Sequence, residues 1–428
     1  MKRWFVLFAT LFVLLPLTAF TASASQSIRA ARTDRASSSV ASLSSGWAYG
    51  AYTTGKTGST SLISGPISQV GFACDPLPTT DTNSASLVEY NSAINAGSAT
   101  STLTVSTTSA SNSIEASADI EGLKLFNGLI SAGSIHTDVT STATASGGTS
   151  SNNSIFSGLS ISGASMLVNP APNTKVTLPG IGYVVLNEQH GPFDGAASTS
   201  ISVNALDVHI TAGPSAGTNL LIGHAESSES ITAQPLTVRG AAYGFYSSGS
   251  SGTNASSTIG PMGYTEVSCI GGTSSISSNG LSSSQVGNTG AIHSSATGKI
   301  VSSGGSASGQ TTMSASTLLK KLIDFSTMAL SAQADITNGA GSCASSMTLT
   351  NGSVNGKALN NNPAPGTRID LPGIGYVIVN EVVCSNNSSV TEEGVIGFDI
   401  NVTMANSLGL PIGDRILIGV SYARVATY

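Results

Sequence analysis

Apolar and polar residues alternate with a period close to two over most of the chain. In "SISVNALDVHITA" (200–212), strict alternation puts Ile201, Val203, Ala205 and Asp207 on one side and Asn204, Leu206, Val208 and Ile210 on the other. "STLTVSTT" (101–108), "TKVTLPG" (174–180), "GYVVLNE" (182–188) and "FDINVTM" (398–404) read the same way, rich in Val, Ile and Thr and bounded by Gly, Pro and Asn. The pattern predicts an all-β protein. One stretch departs from it: in "ASTLLKKLIDFSTMALSAQADI" (315–336), Leu318, Leu322 and Phe325 fit a 3.6-residue stripe that Leu319 and Ile323 widen, which predicts a short helix. Its counterpart, "EGLKLFNGLISAGSIHTDVTSTATA" (121–145), carries Gly128 and Gly133 and many β-formers.

The strands come in two sets. "NPAPNTKVTLPGIGYVVLNE" (169–188) returns as "NPAPGTRIDLPGIGYVIVNE" (362–381). The stretch from 46 to 74 answers that from 240 to 269, and "NLLIGHAES" (219–227) answers "RILIGVSYA" (415–423). The order is kept throughout, so the expected plan is a signal peptide (1–24), a leader (25–44) and two β domains (45–232 and 238–428) joined through "SITAQPLTVRG" (230–240). Each unit is long enough to bury its own core. The expected fold is two tandem antiparallel β-sandwich-like domains, with a β-solenoid as the alternative.

Within the doubled motif, Pro179-Gly180 and Pro372-Gly373 are expected at the middle of a tight turn, Pro fixing φ and Gly supplying positive φ. The turn is expected to make a bulged hairpin or a corner between sheets. Gly182 and Gly375 then stand in a strand, where a missing side chain permits close approach. Tyr183 and Tyr376 are expected over a core edge, and Asn187-Glu188 and Asn380-Glu381 to close the strand as structural caps. A ligand role for them would need further carboxylates nearby, and none is seen to recur in both copies.

Composition sets the compartment and excludes partners. Lys2 and Arg3 precede an apolar run from Trp4 to Phe20, and Ala22-Ser23-Ala24 supplies a small-residue cleavage site, so secretion or cell-surface localisation is expected. No later run reaches the roughly 20 apolar residues of a spanning helix, so no membrane span is expected after cleavage. Charged residues are only 9% of the chain, against about 25% in ordinary domains. Net charge is −6 and the main basic group is Arg29, Arg32 and Arg35, which reads as a solvated leader. Nucleic acid is excluded by the lack of clustered positive charge. "LPGIG" lies mid-domain and is no sorting signal, and the closing "LIGVSYARVATY" reads as a strand.

"ADIEGLKLFNGLISAGSI", "LSISG", "NPAPNTKVTLPGIGYVVLNEQ", "ISVNALDVHI" and "NLLIGHAESS", in that order, resemble the secreted bacterial choice-of-anchor P family across the first copy and more loosely the second. The resemblance implies an extracellular surface domain. It assigns no chemistry and no functional residue, and this chain departs from it in showing no recognisable C-terminal anchor.

Candidate chemistry is sparse. Gly213-Pro214-Ser215-Ala216-Gly217 matches the nucleophile pattern G-x-S-x-G, with His224 and Asp207 near it in sequence, but the strand-like "TNLLIGH" follows where a helix is needed, so a hairpin loop is expected. His209 and His224 are read opposite Thr403 and Val420, and no histidine stands at zinc-ligand spacing with a Cys or His. No metal, cofactor or catalytic residue is assigned. Of four cysteines, Cys343 and Cys384 are both confined to the second copy and are expected to bridge, while Cys74 and Cys269 occupy equivalent places in the two copies.

The expected function is a secreted or envelope-associated structural or adhesion module without catalysis, its candidate partners the cell wall, the extracellular matrix or another copy. Carbohydrate or ice binding is the alternative, weakened by 5% aromatics and by irregular Thr spacing in "TVSTTSAS" (104–111) and "TSTATASGGTSS" (140–151); a hydrolase is the remote one.

Overall fold

The structure is a computed structural model that describes residues 43–57, 60–73, 79–90, 94–213, 216–230, 236–251, 255–267, 269–278, 280, 282–283, 286–387 and 389–427. The expected signal peptide, most of the leader, Cys74, Ser215 and the linker core 231–235 lie outside the described residues. Among the described residues the protein is nearly all β, in antiparallel sheets that do not close into barrels. The solenoid alternative fails, because a coil needs parallel neighbours. No described helix is long and apolar enough to cross a membrane.

Described strands of the first and second halves never share a sheet. In the first half, one sheet runs in the order Thr174–Leu178, Gly182–His190, Ser198–Ile210, Thr218–Ser230, Leu43–Thr57 and Thr60–Ile67, so its first strand starts two residues inside the expected leader. It packs on a second sheet built on Thr79–Tyr90, Ile94–Thr107, Ser111–Leu125 and Ile130–Thr144. Ile120, Leu123 and Ile135 of the second sheet share a core with Val184, Leu186, Leu206, Val208 and Ile222 of the first. The second half repeats the first sheet with Thr367–Leu371, Gly375–Asn386, Val390–Val402, Arg415–Thr427, Leu236–Ser251 and Ala255–Met262. Its facing layer, however, is split crosswise into a five-stranded and a six-stranded sheet. At the split, Ala315 and Ser326 stand where the unbroken strands of the first half carry Gly122 and Gly133. The halves touch where Trp47 meets Tyr264 edge-on at 5.3 Å.

The helix expected at 315–336 is instead a hairpin, Ser316–Leu318 pairing with Ile323–Phe325, followed by the strand Thr327–Thr337. Leu319, Lys320 and Lys321 all take positive φ (49°, 55° and 70°) in the turn. The helical stripe was an artefact of that turn, because Leu318 and Ile323 face each other across strands. In the first half the same turn is Phe126-Asn127-Gly128, a left-handed 3-10 turn.

The doubled motif makes a hairpin rather than a sheet corner. Gly180 and Gly373 have φ of 75° and 72°, and the amides of Ile181 and Ile374 donate to the Leu178 and Leu371 carbonyls at 3.1 Å. A Cβ on Gly182 would overlap the His209 carbonyl oxygen, and one on Gly375 that of Asn401, so the close approach is backbone to backbone. Asn187 and Asn380 do not close their strands: they sit inside Gly182–His190 and Gly375–Asn386 with φ of 49° and 55°. Each Nδ2 donates back to the motif's first proline carbonyl, Pro170 at 3.1 Å and Pro363 at 2.8 Å, so the motif's two ends lock together.

This left-handed residue has a consequence for the whole sheet. Asn187, Ala205 and Gly223 lie side by side across three strands, and Gly223 is also left-handed with φ of 63°. Strict alternation breaks along that line. Ile201, Val203 and Ala205 point inward, and then so do Leu206 and Val208, with two adjacent inward residues at the kink. The second copy repeats the device with Asn380, Gly397 and Gly419.

Candidate functional site

The kink turns Asp207, which alternation placed with the core residues Ile201 and Val203, onto the outer face beside Asn204. There it meets Glu188 of the neighbouring strand, close enough for a hydrogen bond between the carboxyls. Asn204 Nδ2 donates to Glu188 Oε2 at 2.8 Å, His209 Nε2 reaches Asp207 Oδ2 at 2.7 Å, and His224 Nδ1 donates to Asn204 Oδ1 at 2.7 Å. The network extends sideways through rings. His224 stacks on Tyr49 at 4.4 Å, His209 stacks on Tyr183 at 4.4 Å, and Lys175 Nζ caps the Tyr183 ring 3.5 Å from its centroid. Tyr183 therefore stands on the outer face, not over a core edge. Tyr52 closes the row edge-on to Tyr49.

The electrostatics of this strip follow from burial. Asp207 is 5% exposed and its Oδ1 has no hydrogen-bond donor among the described residues. Burial, then the charge of Glu188, pushes its pKa up to about 6 against the relief offered by His209. Burial also pushes the Tyr49 and Tyr52 phenols up.

The second copy carries the same carboxyl pair, contrary to the expectation that none recurs. Asp399 lies across from the strand of Glu381 as Asp207 does from that of Glu188, each placed outward by the same kink. Here the counter-charge is Arg415, whose Nε and Nη2 grip Asp399 Oδ1 and Oδ2 at 2.9 and 2.8 Å while Nη2 reaches Glu381 Oε2 at 3.4 Å. Burial and the neighbouring Asp399 still push Glu381 up to about 7. Strand register aligns Arg415 with Asn219, and aligns His209 with Asn401 rather than with Thr403. His224 does stand opposite Val420, since each pairs with the matching tyrosine, 49 or 243. Arg368 covers Tyr376 at 3.7 Å as Lys175 covers Tyr183.

Paired carboxyls with separated pKa values are a pattern used for acid–base chemistry. In this strip the ring faces and most polar atoms are already occupied by neighbours, which is how a cross-strand ladder stabilises a sheet. The G-x-S-x-G segment joins two antiparallel strands, Ser198–Ile210 and Thr218–Ser230, as the hairpin reading expects, with Ser215 itself outside the described residues.

Two further features lie on the other layers. On the exposed face of the second sheet, Thr80 and Thr104, Thr82 and Thr102, and Ser84 and Thr100 form three successive hydroxyl pairs at 3.4, 3.3 and 3.1 Å. This ladder is more regular than the spacing along the chain suggested, because strand pairing selects every second residue of each strand. His136 bridges Asp119 and Asp138 nearby, at 2.7 and 3.1 Å. In the second copy, Cys343 and Cys384 join the two layers as a disulfide with Cα atoms 6.1 Å apart. Cys269 is buried and disulfide-bonded.

No family model matches the chain, and no curated protein matches it.

Proposed function

We propose that the chain is a secreted, envelope-associated structural or adhesion module that acts without turnover, its two copies serving as spacers and its partner the cell wall, the extracellular matrix or another copy. The observation that carries this reading is the lateral closure of the outer strip: in both copies the rings and carboxyls are engaged mainly by side chains of neighbouring strands. Such a strip rigidifies an open sheet face. The resemblance to choice-of-anchor P proteins and the low content of charged residues point the same way. The test is fractionation with activity profiling. Wall or matrix association with no turnover on esterase, glycosidase and peptidase panels is expected; turnover abolished by Glu188→Gln or Ser215→Ala would overturn the reading.

Carbohydrate or ice binding is the second reading, favoured by the hydroxyl ladder at Thr80, Thr82, Thr100, Thr102 and Thr104. It expects glycan-array binding or thermal hysteresis that Thr82→Ala with Thr102→Ala removes.

A further inference from the structure

The second copy differs from the first at three positions that converge. Register places Cys343 where the first copy has Ser150, because Ala334 pairs with Cys343 as Ser141 pairs with Ser150. Cys384 stands at Gly191, and Glu393, which pairs with Cys384, stands at Ile201. Ile201 belongs to the apolar core of the first copy, with Ile114, Val139 and Val203. A core isoleucine has thus been exchanged for a carboxylic acid beside two cysteines.

A disulfide needs no carboxyl group, and burying one without full hydrogen bonding is costly. Glu393 is 1% exposed; Ser345 hydrogen-bonds its carboxylate, but its Oε2 has no hydrogen-bond partner among the described residues. The two sulfurs and a Glu393 carboxylate oxygen lie within 4.8 Å of one another. We infer that, once the cysteines are reduced, Cys343, Cys384 and Glu393 form a site for a borderline-soft divalent cation such as Zn2+.

Thiolate and carboxylate are standard zinc donors, and tetrahedral zinc with bonds of about 2.3 Å to sulfur and 2.0–2.2 Å to oxygen sets its ligand atoms roughly 3.5–3.8 Å apart. Once the sulfur–sulfur bond is broken, side-chain rotation has to bring the three atoms, now within 4.8 Å of one another, to that spacing. Cys384 is exposed, so solvent supplies the fourth ligand. The Glu393 carboxylate then gains a metal partner, and the buried charge is offset. The disulfide and the ion exclude each other. Two equivalents of a thiol reductant pass two electrons and two protons to the disulfide, giving two thiols and one reductant disulfide. Binding of the cation then releases both thiol protons. This inference stands apart from the recognition of any envelope polymer.

The test is Co2+ titration of the reduced chain with Cys74 and Cys269 replaced by serine, followed by Zn2+ competition. We expect one ion per chain, a thiolate-to-cobalt charge-transfer band and intense visible bands of tetrahedral cobalt, all absent from the oxidised chain. Cys343→Ser should abolish the signal and Glu393→Gln should weaken binding at least about tenfold, no less than losing an outer-shell partner does. If the serine background fails to fold, the four-cysteine chain is compared with its C343S/C384S form, and the difference is expected to be one ion. Equal occupancy in oxidised and reduced chains, no difference between those two forms, or unchanged affinity in Glu393→Gln would overturn the proposal.

Discussion

The outer strips of the two copies share one skeleton and differ in how they balance the same pair of carboxyls. In the first copy the partner of Asp207 is His209 on its own strand, and Asn219 occupies the neighbouring strand. In the second copy the roles are exchanged: the neighbouring strand supplies Arg415, and Asn401 replaces the histidine. Arginine keeps its charge at any ordinary pH and presents a planar fork, whereas histidine is a smaller partner whose charge can be lost. The carboxyl pushed upward also changes, being Asp207 in one copy and Glu381 in the other. A two-pronged grip on Asp399 leaves Glu381 as the group that burial burdens. Duplication preserved the site and altered its proton inventory.

Breaking the permanent half of the comparison should have the largest effect. Arg415→Gln strips the counter-charge from two carboxyls, one of them only 4% exposed in its side chain. Breaking a fully buried pair costs about 3–5 kcal/mol, and because Arg415 is itself 24% exposed we expect roughly 2–3 kcal/mol. Denaturant unfolding of the second copy measures it. Asn219→Gln in the first copy, which has no such charge to lose, should stay within about 0.5 kcal/mol. Equal losses in the two would show that Arg415 is a bystander.

The shared skeleton is tested next. Asn380→Ala keeps a Cβ in left-handed backbone but removes the polar side chain that lets asparagine tolerate it, roughly 1 kcal/mol, and deletes the hydrogen bond to Pro363, about 1 kcal/mol. Asn380→Gly retains the conformation and should lose only the hydrogen-bond share. Asn187 should give the same ordering in the first copy. If Ala and Gly cost the same, the positive φ is not what fixes the asparagine.

That kink also explains what could be read from the sequence. Strand content, the Pro-Gly turns and the Cys343–Cys384 pair were legible, because period-two patterning, repeated motifs and turn chemistry can be read from the sequence. The acidic pair was not. Counting alternate residues from Ile201 carries Asp207 to the wrong face, since one left-handed residue in an adjacent strand reverses inside and outside beyond Ala205. The signal was present as "NE" in each motif with an Asp in the following strand, at 188 and 207 and again at 381 and 399. Reading it required knowing that the asparagine sits inside the strand. The helix expected at 315–336 failed for a related reason: apolar residues on either side of a tight turn mimic helical spacing. Glu393 was invisible because its isoleucine counterpart is identified only through strand register.

The smallest effect on stability gives the sharpest test. Both raised carboxyls bind a proton in the folded state at pH values where the unfolded chain has released it. Each therefore contributes stability that is present at low pH and is lost as pH rises from the ordinary carboxyl range through the folded value, about 6 for Asp207 and about 7 for Glu381. Exchanging the partners in the first copy, Asn219→Arg with His209→Asn, recreates the second copy's arrangement on the same kinked strands. The introduced guanidinium should grip Asp207 and leave Glu188 as the burdened group. Total stability should change by less than about 1 kcal/mol, since one counter-charge replaces another at a partly exposed site. The proton should move: in carbon-detected NMR titrations of the side-chain carboxyls, the raised Asp207 midpoint should fall toward its ordinary value of 3.8. If Asp207 keeps its midpoint in the exchanged chain, burial alone sets it, and the choice of partner does not decide which carboxyl holds the proton.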